Sequence, residues 1–157
     1  MQSRTSSPAE AWEVIVREAA DESQLWAEAL RPEEQRELEL VFSPLARSEL
    51  AAGIETIYEG YLAHYGRPRL FAPADPDTAL LLGDYLYAHG LVRVAALGDV
   101  AAVHELAELI ASCAHLRADR SEGDGEAWVR AAARLGDAPA NPLDVERALA
   151  AHARRVG

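Results

Sequence analysis

Lysine is absent from the 157-residue chain: all 15 basic residues are arginine, set against 26 acids for a formal net charge of −11. That shortage of positive charge argues against nucleic-acid binding by phosphate neutralisation and against docking on an anionic membrane, both of which need a positive face. The acidic excess is even, with 13 acids and 7 bases over residues 1–70 and 13 acids and 8 bases over residues 71–157, so neither an acidic tail nor a basic arm stands out. A single cysteine, Cys113, excludes an internal disulfide and a Cys-based zinc site, and fits a reducing compartment. No Asp-Asp pair occurs anywhere. No long apolar run suggests a membrane span. Residues 1–7 are polar and the next segment is amphipathic, so nothing reads as a signal peptide. The expectation is a cytoplasmic protein.

What is present is half hydrophobic and 26% charged, the composition of a folded chain, and the length fits one domain over residues 1–157. Alanine supplies about a fifth of the residues and favours helix. Proline-marked starts punctuate the row. Ser7-Pro8-Ala9-Glu10 has the form of a capping box and opens a helix through Trp12, Ile15, Val16 and Ala19, which Asp21-Glu22-Ser23 interrupts or restarts before Leu25, Trp26 and Leu30. A short helix is expected from Pro32 to about Phe42, and another from Ser43-Pro44 to Gly66. Three prolines make residues 67–77 the main non-helical connection. Asp75-Pro76 starts a helix that is apolar nearly all round from residue 78 to about 97, and such a helix must be covered on all sides. Gly98-Asp99 ends it and caps the next, residues 100 to about 117, whose Glu105, Glu108, Ser112 and His115 form a polar stripe. Two short helices follow, around residues 126–135 and, after Asn141-Pro142, 143–155. No strand-like alternation appears. The fold class is all-α, a helical bundle of six or seven helices.

Few residues combine into a recognisable site. The five histidines are scattered over four expected helices. His104-Glu105-Leu106-Ala107-Glu108 has the first half of a zincin helix, but Glu108 stands where the second metal-binding His is required. His89 and Arg93, one turn apart, either share a polar partner from another helix or chain or reach solvent. Asp84 lies among Leu80, Leu81, Leu82, Tyr85 and Leu86, so burial there demands an Arg, a backbone cap or a tyrosine hydroxyl, and a structural role is expected for both Asp84 and Arg93. Cys113 sits on an apolar face and reads as packing. No catalytic residue and no metal ligand is assigned.

The run Ala79-Leu80-Leu81-Leu82-Gly83-Asp84-Tyr85-Leu86-Tyr87-Ala88-His89-Gly90-Leu91, continued by Val94-Ala95-Ala96-Leu97-Gly98-Asp99, resembles the Gly-Asp-x-Leu-x-Ala helix of trans-polyprenyl diphosphate synthases. Tyr65-Gly66-Arg67-Pro68 is similar to the Arg-Gly-x-Pro turn that often precedes it. The resemblance covers roughly residues 45–117 and implies a truncated version of the isoprenoid-synthase fold. Family enzymes hold magnesium through two Asp-rich DDxxD-type motifs, whose carboxylates at i and i+4 share one helix face. Here residues 60–66, where the first motif is expected, read Gly-Tyr-Leu-Ala-His-Tyr-Gly, and the chain is much shorter than a complete enzyme. The resemblance is therefore to the small subunit of heteromeric hexaprenyl and heptaprenyl diphosphate synthases. It implies a larger catalytic subunit as partner, magnesium on that partner, and a regulatory role in product length with prenyl-chain contact at the tunnel end.

The expected function is that of a non-catalytic, regulatory subunit. The family places the counterparts of residues 78–97 and of the following helix at the subunit interface. The expected partner interface is therefore Leu81, Tyr85, His89 and Val92 with Val103, Leu106 and Ile110. Two other readings stand beside it: a small helical adaptor unrelated to prenyl transfer, and a minimal enzyme with an acid-base site near His64, His89 or His104.

Overall fold

The structure, a computed structural model, describes residues 7–156; the polar stretch ahead of Ser7 lies outside them. Among these residues it is all-α. The elements are α1 (Pro8–Glu22), α2 (Gln24–Ala29), α3 (Ala51–Tyr65), α4 (Pro76–Ala96), α5 (Val100–Ala118), α6 (Asp124–Arg134) and α7 (Pro142–Val156).

Capping chemistry sets most boundaries. The Ser7 hydroxyl accepts from Glu10 N while the Glu10 side chain accepts from Ser7 N, closing the capping box. Ser23, with extended backbone, ends α1 and accepts from Leu25 N at 3.1 Å, so one residue terminates a helix and begins the next. Asp75 and Asp99 cap α4 and α5 through Thr78 N and Ala102 N, and Asn141 accepts from Leu143 N just ahead of α7.

Two expected helices are corrected. From Pro32 to Phe42 only Glu33–Gln35 forms a single 3-10 turn. Beyond it the chain is not helical, with Glu37 N donating to Arg69 O at 3.2 Å, as Arg31 N just ahead of the stretch donates to Leu70 O at 2.8 Å. A helix there would have stacked Glu33 over Glu37, a like-charged pair, without gaining those partners. The helix expected from Ser43 starts at Ala51 instead, after short turns at Ser43–Leu45 and Ser48–Leu50, because Ala46 and Arg47 between the turns are extended and the Arg47 amide is drawn to Leu135 O at 2.9 Å.

The wholly buried helix is α3, in which every residue from Gly53 to Leu62 is inside. It separates two apolar clusters. One joins Phe42, Tyr58, Tyr61 and Trp128 to the inner faces of α5, α6 and α7, and the other joins Trp12, Ile15, Trp26, Leu70, Phe71, Leu82 and Leu86 between α1, α2 and α4. Against α3 packs α4, in antiparallel register set by two pairs of glycines one heptad apart on each helix. Gly53 meets Gly90 and Gly60 meets Gly83: a Cβ on Gly90 would lie 3.0 Å from Gly53 O and 2.4 Å from Ile57 Cγ1, and one on Gly60 would lie 2.9 Å from Gly83 O. With no side chain at either point the backbones come into direct contact. The chain itself covers only one face of α4. Only Leu82, Gly83, Leu86, Gly90 and Val94 are buried, and Leu80, Leu81 and Val92 face outward.

Candidate functional site

Because α3 is buried, its two carboxylates one turn apart, Glu55 and Glu59, require compensation. Arg69, entering from the chain just past the Gly66-Arg67-Pro68 turn, supplies it. Its Nη1 donates to Glu55 Oε1 at 2.5 Å and its Nε to Glu59 Oε1 at 3.1 Å, and all three side chains are fully buried. The remaining acceptor capacity is used by backbone: Ser43 N reaches Glu55 Oε2, Arg69 N reaches Glu59 Oε1, and Leu70 N reaches Glu59 Oε2 at 2.6 Å. The guanidinium also donates to the carbonyls of Glu39 and Glu55 and lies over the rings of Trp12 and Tyr58. Burial alone would favour loss of the Arg69 proton, but the two carboxylates outweigh it and hold the group more firmly charged than usual. A magnesium ion does not fit this carboxylate pair, since the guanidinium already occupies the place between them. Sequence reading missed the pair by seeking Asp-Asp in residues 60–66. The signal was Glu at i and i+4 in residues 55–59.

The residues expected at an interface divide into three groups. Leu81 and Val92 are 55% and 62% exposed, on the outer face of α4. Tyr85 and His89 are half-buried: Tyr85 stacks on Trp26 and on the His89 ring, and His89 Nε2 lies 2.7 Å from Glu18 Oε2. Arg93 bonds the same Glu18 oxygen. The polar partner shared by His89 and Arg93 therefore comes from α1 of the same chain. Burial raises the Glu18 pKa, but the histidine and arginine together bring it below the usual carboxylate range. On α5, Val103 and Ile110 are half-buried against the core. Leu106 is a correction: at 1% exposed it faces the core of its own chain, on the inner side with Ala102, Leu109 and Cys113, and presents nothing to a partner.

Asp84 is a second correction. Leu82, Gly83 and Leu86 take the inner face of α4, so the Asp84 side chain points out, 67% exposed, and needs no buried partner. Its Oδ1 lies 3.2 Å from His64 Nε2 without the alignment of a hydrogen bond. His104 and His115 are exposed on α5. Cys113 is buried, which pushes its thiol up to about 12 and leaves it unreactive.

A second polar cluster, not foreseen, closes the end of the bundle where α5 turns into α6. Asp124 Oδ2 accepts from Tyr61 Oη at 2.5 Å and from Arg117 Nε at 2.7 Å, and Arg117 also reaches the Tyr61 oxygen at 2.9 Å. Beside it Tyr58 Oη and His152 Nδ1 are 2.8 Å apart. Burial raises both tyrosines and lowers His152. A cleft of about 550 Å³ lined by Arg117, Arg120, Asp124, Gly125 and His152 opens there. The cluster ties α3, α5, α6 and α7 together.

No group of three or more His, Cys, Asp or Glu among the described residues is arranged to hold a metal ion, and none of their helices is long and apolar enough to cross a membrane. No protein-family model, curated protein or solved structure matches the chain.

Proposed function

We propose that the chain is a non-catalytic subunit that pairs with a larger trans-polyprenyl diphosphate synthase chain, stabilises it and helps set product length. The observation that carries the reading is the bare outer face of α4, where Leu81, Ala88, Val92 and Ala95 recur at i, i+7, i+11 and i+14 and all stand in solvent on the helix that bears the resemblance. Apolar side chains grouped on one helix face are more than scattered surface residues and suit burial against another protein. The Glu55-Glu59-Arg69 arrangement supports the non-catalytic half of the proposal. Its two carboxylates have the i, i+4 spacing of a magnesium-binding pair and precede the Gly66-Arg67-Pro68 turn, yet their charge is already spent within the chain. In this reading the partner supplies magnesium and the diphosphate clamp, and this chain contributes apolar wall to the end of the prenyl tunnel.

The test is an assay with radiolabelled isopentenyl diphosphate, on the chain alone and with a catalytic partner. The lone chain is expected to be silent and the pair active, with Leu81→Asp/Val92→Asp on the outer face abolishing co-purification and activity together. Turnover by the chain alone, or a stable monomer indifferent to every prenyl synthase chain, overturns the proposal, and the second result favours the adaptor.

A further inference from the structure

We infer that the cleft between the end of α1, the start of α3 and the last turns of α4 receives an amphipathic helix of a different protein, one whose apolar stripe is flanked by Arg or Lys. This rests on the heteromer reading above and adds the chemistry of what it pairs with.

The cleft has a volume of about 650 Å³. Val92, Ala96 and Leu97 give it an apolar wall that is exposed in the lone chain. Facing that wall are four carboxylates, Glu18, Asp21, Glu22 and Glu49. Two of them are spent at home: Glu18 on His89 and Arg93, and Glu49 on Arg47 at 3.2 Å. Asp21 and Glu22 form no ion pair among the described residues, and both are exposed. They also occupy the last turn of α1, which contains no basic residue. The partial negative charge of a helix C-terminus disfavours acids there and favours cations, and the last turn of α1 supplies no cation of its own to offset these two.

An acidic rim beside a bare apolar wall specifies its complement. A helix lying on Val92, Ala96 and Leu97, with Arg or Lys on the flank toward Asp21 and Glu22, buries the apolar surface and neutralises both carboxylates and the helix pole. A second copy is a poor occupant, because two chains of net charge −11 would bring like charges together across the contact.

The test uses two synthetic helical peptides with the same Leu/Ala stripe, one flanked by Lys and the other by Glu, titrated against the full chain by fluorescence anisotropy. The Lys-flanked peptide is expected to bind, more weakly as salt rises, and the Glu-flanked one not to bind. Asp21→Lys/Glu22→Lys should weaken binding by roughly tenfold or more. The exchange places cations at the α1 C-terminus, so the variant should melt no lower than the parent chain, which separates lost binding from lost folding. Equal behaviour of the two peptides, binding by neither, or no effect of the exchange overturns the inference. So does a dimer of the lone chain that Val92→Asp dissolves, since a second copy would then cover the cleft. Co-expression with the aspartate-rich polyprenyl diphosphate synthase chains of the source organism separates this idea from the one beneath it. Co-purification that survives the double exchange sinks the acidic cleft and leaves the heteromer standing. Selective peptide binding with no synthase chain co-purifying does the reverse.

Discussion

A guanidinium sealed from water persists only where carboxylates balance its charge and its nitrogens find acceptors, and Arg69 meets that condition with four hydrogen bonds to two carboxylates and two carbonyls. Removing it alone, as in Arg69→Met, strands two buried carboxylates and should lower unfolding free energy by about 3–5 kcal/mol. Replacing all three members with Met and Gln of similar volume should cost less than the single change, a comparison that urea denaturation of both variants makes directly. His152 gives a pH signature at the same scale. Burial holds its pKa below the ordinary 6.5, so the unfolded chain takes up a proton that the folded chain refuses once the pH drops under that value. The stability it contributes is complete above the unfolded pKa and is lost as the pH falls through the window beneath it. Urea midpoints measured at about pH 7.5 and about pH 5.5 should therefore fall for the parent chain, and fall less for His152→Gln.

At the level of elements, α4 has two characters: an inner face fused to α3 and an outer face left bare. Because Leu81 and Val92 lie on the outer face, Leu81→Asp/Val92→Asp should change the stability of the lone chain by no more than about 0.5 kcal/mol per substitution, as at other surface sites. The same pair should prevent assembly with a catalytic partner, and thermal melting run beside co-purification reads both effects. Helix starts were legible in the sequence where a short polar side chain does cap them, as at Ser7, Asp75 and Asp99, because capping is a local interaction, whereas the same signal at Ser43 marks only a short turn. Residues 36–42 were not legible: their conformation depends on backbone partners more than two dozen residues away, which no local pattern announces. The identity of the buried helix was hidden for a related reason. Glu55, Thr56 and Glu59 made α3 look half-polar, and only Arg69, from beyond the next turn, makes their burial tolerable. The inward placement of Leu106 and the outward placement of Asp84 depend on how α4 and α5 rotate about their axes, a choice made by tertiary packing.

For the whole molecule, a charge of −11 without a single lysine sets the terms of association. In the proposed complex, long-range attraction to a basic-flanked partner would raise the encounter rate and be screened by salt, so its association rate should fall steeply with ionic strength while its dissociation rate changes little. Stopped-flow mixing across a salt series makes that distinction. The glycine contacts between α3 and α4 extend the same logic into the interior. Backbone pressed on backbone at Gly53 with Gly90 and at Gly60 with Gly83 leaves α4 no slack to roll or slide, so its outer surface is presented already shaped and a companion loses little entropy in ordering it. A methyl group added at one of these hidden points would be felt on the far side of the helix, by the proposed partner that never touches it.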